Sequence, residues 1–177
     1  VCPAAATAEQ YDCVARAIAA YERSAEVSAY TSKYDFFLKG QARLTGQEQR
    51  GMELFFDKAK CGNCHNGPDF TDFTYDNLGV PRNPANPFYN EPEWNPEGAA
   101  WVDTGLGGYL KAAGYPEAVY MAEWGKQKAP TLRNVDLPAG VVKAYGHNGY
   151  FKSLEEIVHF YNTRDVKCAG WNANALA

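Results

Sequence analysis

Residues 61–65 read Cys61-Gly62-Asn63-Cys64-His65, a C-x-x-C-H run that is typical of covalent c-type haem attachment. In such a run the two thiols bind the vinyl groups of one haem, and the following histidine donates a ring nitrogen to the iron. Two cysteines three positions apart on a tight helical turn face the same way, which favours this geometry. The run therefore predicts one covalent haem c, bound by Cys61 and Cys64, with His65 as the axial metal ligand.

Two other interpretations of the run are weaker. A zinc site needs a second pair of Cys or His ligands at short spacing, but the three other cysteines, Cys2, Cys13 and Cys168, are scattered along the chain. A thioredoxin-like redox pair belongs in a βαβ pattern, and no such pattern surrounds the run. Three remaining cysteines are an odd number, so we expect one disulfide and one free thiol, with the pairing left open.

The residues after the run suggest how the axial histidine is held. Asn66, Gly67 and Pro68 follow it directly. A proline carbonyl at this spacing is well placed to accept a hydrogen bond from the ring nitrogen that does not bind iron. Such a bond fixes the tautomer and makes the imidazole a stronger donor. We predict this role for Pro68 O, as the acceptor for His65.

Composition fits a protein that surrounds a large flat apolar cofactor. The 177 residues include 4 Trp, 12 Tyr and 9 Phe, whose rings are natural walls for a haem. A net charge of −4 makes nucleic acid an unfavourable partner and is compatible with a redox protein partner that has a basic rim.

The sequence also bears on the compartment. No apolar run is long enough to span a bilayer, and the chain does not start with a charged segment followed by an apolar one. Thioether attachment of haem in bacteria takes place outside the cytoplasm. We therefore expect a periplasmic protein whose signal peptide has already been removed.

Helical signals dominate the chain, and no segment alternates convincingly with the period of a strand. Capping boxes at Thr45 and Ser153 each open a helix. The predicted helices cover residues 7–24, 33–38, 45–56, 103–113, 116–124 and 153–161. The pattern predicts an all-α, cytochrome c-like haem domain with long irregular loops, organised as an N-terminal lead-in helix (1–24) and a single domain (25–177).

The longest predicted loop covers residues 66–100, which are rich in Pro, Asn, Gly and Asp. A loop of this length in a compact domain needs a reason. Wrapping the edge of a haem is one, with Phe70, Phe73, Leu78 and Val80 supplying apolar contacts.

Several segments carry a resemblance to a known family when they are taken together in order. They are Leu44-Thr45 through Phe56, the run at 61–65 with Gly67-Pro68, Asn77-Leu78-Gly79-Val80-Pro81, Ala129-Pro130-Thr131-Leu132-Arg133-Asn134-Val135, Tyr145-Gly146-His147-Asn148-Gly149-Tyr150-Phe151, and Leu154-Glu155-Glu156 to Tyr161-Asn162. This set resembles the bacterial di-haem cytochrome c peroxidase and MauG family. It covers most of residues 17–165.

The resemblance is to one half of that family, whose members carry two haem domains. It implies the C-terminal domain, which passes electrons to a peroxidatic haem in the other domain. Only one C-x-x-C-H run occurs in this sequence, so the resemblance implies a single-domain relative, a subunit or a fragment. A second haem-bearing domain or subunit is then a candidate partner.

The sixth iron ligand is left open by a departure from the family pattern. Many members have a ligating methionine between the Tyr and the His of a Y-M-H-[DN]-G run, where this chain has Gly146. Met121 is the only methionine off a clear core stripe, and its thioether would suit an electron-transfer haem. Tyr145, which we also expect at the pocket wall, and His147 are local alternatives, as is an open iron.

Arg133 lies in the family's T-L-R-N turn. A guanidinium can bind a haem propionate through two hydrogen bonds, so we predict this role for Arg133, with a surface ion pair as the alternative.

Three functions are compatible with these residues. The first is a one-haem electron-transfer protein with a periplasmic redox partner. The second is a haem peroxidase or MauG-like oxidation enzyme, or a subunit of one, with an open or weakly ligated iron and His147 as acid and base. The third is a binding or sensing module. No nucleophile and base are paired, so no catalytic residue is assigned.

Overall fold

The computed structural model describes residues 7–137, 141 and 143–166. The chain forms two compact units, Val1–Gly62 and Asn63–Ala177. Compactness is not the same property as independent folding, so the division into residues 1–24 and 25–177 stays a prediction.

The described residues of the first unit include the α-helices α1 (Thr7–Glu22), α2 (Lys33–Leu38) and α3 (Gly46–Phe56). The capping box predicted at Thr45 is present, because Thr45 Oγ1 accepts from the amide of Glu48 while the Glu48 carboxylate accepts from the amide of Thr45 at 2.6 Å. Ser32 and Asp35 form a second capping box at the start of α2. Each box satisfies backbone donors that a helix N-terminus would otherwise leave unpaired.

The second unit contains α4 (Gly105–Ala112), α5 (Glu117–Ala122) and α6 (Leu154–Thr163). A two-stranded antiparallel sheet joins β1 (Tyr75–Asp76) to β2 (Gln127–Lys128), with Asp76 opposite Gln127. The described residues are thus mostly helical with little sheet. A strand of two residues is too short to leave an alternating pattern in the sequence, so the sheet was not predicted.

Helices α4 and α5 form a closely packed hairpin. Gly107 makes the close approach possible, because a β-carbon at this position would lie 2.6 Å from both the Trp124 Cα and the Tyr120 carbonyl oxygen. The amide of Leu106, in α4, donates to Lys126 O at 2.9 Å, so the hairpin is also bonded to the residue that precedes β2.

The long loop at 66–100 contains two short 3-10 turns, Pro87–Asn90 and Gly98–Ala100. Asn95 is 2% exposed and donates hydrogen bonds to the carbonyls of Phe88 and Gly98 at 3.1 and 3.0 Å. Phe88 packs edge-to-face on Trp101 at 4.9 Å between ring centroids. Residues 88–98 of the loop are therefore held by the side chain of Asn95 and by the adjoining Trp101.

Buried apolar side chains are few: within the described ranges they are Ala129 and Phe151. Both line the cavity of the second unit described below. No helix in the described part of the chain combines the length and the apolar character that crossing a membrane requires.

Candidate functional site

The second unit contains a cavity of about 420 Å³, within the ~300–1,000 Å³ that is usual for cofactor pockets. Cys64 and His65 of the C-x-x-C-H run both line it. Apolar side chains form most of the remaining wall, among them Leu78, Val80, Ala129, Pro130, Leu132, Phe151, Ile157 and Phe160. The polar side chains at the cavity include those of Asp76, Gln127, Lys128, His147 and Tyr161.

His65 is held in one tautomer by the backbone. Its Nδ1 lies 3.1 Å from the carbonyl oxygen of Phe70. A carbonyl can only accept, so Nδ1 carries the proton and Nε2 is left with a lone pair for a metal. The prediction that Pro68 O would take this role is wrong.

The local backbone explains why the partner is Phe70. Gly67 has φ +68° and Phe70 has φ +50°, two left-handed residues that turn the chain back after the run. The turn is closed by the amide of Thr71 donating to Asn66 O at 2.9 Å. The Pro68 carbonyl instead accepts from Arg133.

The two thiols of the run are not bonded to each other. Cys61, in the 3-10 turn Cys61–Asn63, and Cys64 are both free. Burial raises the pKa of both thiols, and the charges of Asp76 and Asp72 raise that of Cys64 further. Cys64 Sγ lies 3.7 Å from a carboxylate oxygen of Asp76. Both sulfurs are therefore available for thioether bonds.

The third described cysteine has a different state. Cys13, on α1, is disulfide-bonded. Cys2 and Cys168 lie outside the described residues, so the predicted pairing stays open.

These residues fit a covalent haem better than a zinc ion. Among the described residues, no group of three or more His, Cys, Asp and Glu side chains could hold a metal ion. Zinc at this site would lack ligands. A haem needs a thiol, an oriented imidazole and apolar walls, which Cys64, His65 and the cavity lining provide.

Met121 is not placed to ligate a metal in this cavity. It is 52% exposed on α5 and does not line the cavity, so the structure argues against the prediction that it is the sixth ligand. The helix turns Met121 outward, while Gly125, after the end of α5, lines the cavity. Gly146 and His147 do line it.

Three predicted aromatic contacts are not part of the cavity wall. The Phe70 ring lies under Arg133, and the role of this residue comes from its carbonyl. Phe73 is 59% exposed, with Lys128 Nζ 4.8 Å from its ring centroid. Tyr145 donates its hydroxyl to Val135 O at 3.3 Å.

Arg133 also differs from its prediction. Its Nε and Nη2 both donate to Pro68 O, at 2.8 and 2.5 Å, and the side chain does not line the cavity. In this structure the guanidinium is thus engaged with the loop that follows His65.

Several wall residues were missed at the sequence level. Ile157, Phe160 and Tyr161 lie on one face of α6 at spacings of three and four, so the helical period was a usable signal. Asp76 and Gln127 lie on the two short strands and gave no such signal.

Comparisons with known proteins give a consistent result. No protein-family model matches the chain. It is 34% identical over 160 residues to the methylamine utilization protein MauG of Paracoccus denitrificans (strain Pd 1222). This match covers 86% of this chain and 37% of that protein. It is 35% identical over 164 residues to the cytochrome-c peroxidase IdrP1 of Pseudomonas sp. (strain SCT). This match covers 83% of this chain and 39% of that protein.

Solved structures agree. The crystal structure of the diheme peroxidase BthA from Burkholderia thailandensis E264 matches with a TM-score of 0.68 and 34% identity, over 86% of this chain and 36% of that chain. A MauG-like protein associated with microbial copper homeostasis matches with a TM-score of 0.54 and 27% identity, over 81% and 38% respectively. The chain therefore spans a little over one third of the length of these relatives.

Proposed function

Because the chain belongs to the family of MauG and the di-haem cytochrome c peroxidases, we propose that it is a c-type cytochrome domain that carries one covalent haem and transfers electrons. One observation carries the proposal: Cys64 and a His65 of fixed tautomer line the same apolar cavity. The haem would supply a one-electron ferric–ferrous couple.

Each residue of the site has a role in this proposal. Cys61 and Cys64 would hold the haem through thioether bonds, and His65 Nε2 would bind the iron. Phe70 O keeps the proton on Nδ1 and so makes the imidazole a stronger donor. The apolar wall excludes water, which keeps the rearrangement that accompanies electron transfer small.

The partners follow from chain length and chemistry. The chain spans a little over a third of its relatives, so a second haem-bearing domain or subunit is one proposed electron partner, and a separate redox protein is the other. We also propose a periplasmic location, because thioether attachment occurs outside the cytoplasm and the disulfide at Cys13 is typical of an oxidising compartment.

We propose that His147 would be the second imidazole to bind the iron. It is the second imidazole that lines the cavity within the described residues, and its neighbour Gly146 has no side chain to compete. Two imidazoles suit an iron that keeps one coordination state while it exchanges an electron.

A second candidate function is peroxide reduction at an open iron. The observation that favours it is the exposed position of Met121 outside the cavity, which removes the thioether that would close the sixth position. In that case His147 would not bind iron and would instead exchange a proton with peroxide held in the cavity.

One experiment tests the proposal and separates the two candidates. Intact mass of the purified protein counts covalent haem, and the ferric spectrum reports ligation. We expect one haem and a low-spin spectrum without a sulfur-to-iron band. A high-spin spectrum that shifts with cyanide, together with steady peroxide turnover by a reduced donor, would favour the second candidate. Protein without covalent haem would overturn both.

A further inference from the structure

Arg133 contacts Pro68 and Phe70, two residues of the loop that follows His65. Its Nε and Nη2 donate to Pro68 O at 2.8 and 2.5 Å. Its guanidinium carbon lies 5.2 Å from the centroid of the Phe70 ring, within the range of a cation–π contact. One side chain therefore holds both the loop that follows His65 and the residue whose carbonyl accepts from its Nδ1.

The same loop is tied to the turn that carries Arg133 at two further points. Thr131 Oγ1 donates to Asp69 O at 2.5 Å and accepts from the amide of Arg133 at 3.1 Å. Thr71 Oγ1, which is buried, donates to Ala129 O at 2.6 Å. These bonds fix the loop on both sides of Phe70.

Phe70 needs such support. Its φ of +50° is left-handed, a conformation that is strained for a bulky residue and persists only when surrounding contacts enforce it. If the contacts were removed, Phe70 would relax towards an ordinary conformation. Its carbonyl would then turn away from Nδ1.

We propose that Arg133 is a positioning residue for the axial ligand: it keeps Phe70 O in place and thereby sets the tautomer and donor strength of His65. The inference rests on the proposed role of His65 as the iron ligand. Arg133 acts here through its hydrogen bonds and its contact with the Phe70 ring, whereas a propionate-binding arginine acts through its charge.

The two roles predict opposite changes in the reduction potential. Loss of the Phe70–His65 hydrogen bond weakens the imidazole as a donor, which stabilises ferric iron less and raises the potential. Loss of a cation beside a propionate favours the ferric form, because less positive charge surrounds the iron, and lowers the potential. The sign of the shift therefore distinguishes the two roles.

The test uses the haem-loaded protein with Arg133→Gln, Arg133→Lys and Thr131→Val. Thr131→Val removes the hydrogen bond to Asp69 O and the one from the Arg133 amide, and it removes no charge. Arg82→Gln is the control, because it removes an arginine that lies over the Tyr89 ring and does not line the cavity. Potentiometric titration gives the potential, and ferric EPR gives the g-values of the low-spin iron.

We expect Arg133→Gln and Thr131→Val to shift the ferric–ferrous equilibrium about tenfold towards ferrous, which is ~59 mV for one electron, and to change the g-values. Arg133→Lys should shift the equilibrium less than Arg133→Gln does, because an ammonium group can still donate to Pro68 O. Arg82→Gln should give neither a rise nor new g-values. If Arg133→Gln does not fold, Thr131→Val decides the question.

Two results would overturn the inference while the proposed function stands. One is a fall in potential in Arg133→Gln with no change in Thr131→Val, and the other is wild-type potential and g-values in both. If the His65→Ala variant kept the low-spin spectrum of the wild-type protein, this result would instead overturn the proposed function and the inference with it.

Discussion

The Nδ1 of His65 lies 3.1 Å from the carbonyl oxygen of Phe70, and this contact decides which ring nitrogen can bind a metal. The proton on Nδ1 leaves Nε2 as the donor. We expect His65→Ala to lose the low-spin ferric signature while the haem stays attached through Cys61 and Cys64. Absorption and EPR spectra with intact mass check both parts. His159→Ala, at an exposed position of α6 outside the cavity, should leave the spectrum unchanged.

The sixth position gives a second prediction. Met121→Ala should leave the absorption bands unaltered, because this side chain is exposed and does not line the cavity. His147→Ala should convert the ferric iron to high spin, because His147 lines the cavity. Altered bands in Met121→Ala would restore the methionine as a ligand, and a low-spin His147→Ala protein would exclude the histidine.

The sequence predicts the elements of this chain where a local signal exists. Helix α2 has the predicted bounds, and the Thr45 capping box is present as expected, because side-chain capping is decided within four residues. At Ser153 the prediction is half right: the Ser153 side chain accepts from the Glu156 amide, but the Glu156 carboxylate accepts from Lys152.

The candidate site is harder to predict because its partners come from distant segments. The C-x-x-C-H run is local and readily recognised. The choice of Phe70 over Pro68 as partner of His65 depends on two left-handed residues and on Arg133, 65 positions away from Pro68. No short pattern in the sequence encodes such a contact.

Asp76 gives a third prediction. Its carboxylate lines the cavity and lies 3.7 Å from Cys64 Sγ, so its negative charge would stabilise the ferric state of an iron bound in the cavity. Asp76→Asn keeps the shape and should raise the reduction potential. Glu117→Gln, on α5 and outside the cavity, removes the same charge and should shift the potential less. Equal shifts would show only a general charge effect.

Thr71 gives a prediction about stability. The side chain is buried, and its Oγ1 both donates to Ala129 O and accepts from the Phe73 amide. Thr71→Val keeps the shape but leaves the Phe73 amide without its partner and reduces Ala129 O to the longer hydrogen bond from Lys128 Nζ at 3.4 Å. We therefore expect a loss of about 1–3 kcal/mol in the free energy of unfolding. Urea denaturation measures it. Thr163→Val, which removes an exposed hydroxyl, should cost less.

The last prediction concerns acid stability of the first unit. The hydrogen bond from Lys33 and those from the Thr45 amide and hydroxyl lower the pKa of Glu48 from 4.5 to about 2. A carboxyl whose pKa is lower in the folded state stabilises that state above its unfolded pKa. This stabilisation is lost as the pH falls from 4.5 towards 2.

Wild-type protein should therefore melt at a higher temperature than Glu48→Gln near neutral pH, and the difference should shrink as the pH falls through that range. The size will be modest, because the Lys33–Glu48 ion pair is exposed and screened by solvent. In a Lys33→Gln background the effect of Glu48→Gln should become smaller, since the largest cause of the shift is gone. Melting curves followed by circular dichroism measure each difference in melting temperature. A difference between wild type and Glu48→Gln that did not change with pH would contradict the lowered pKa of Glu48.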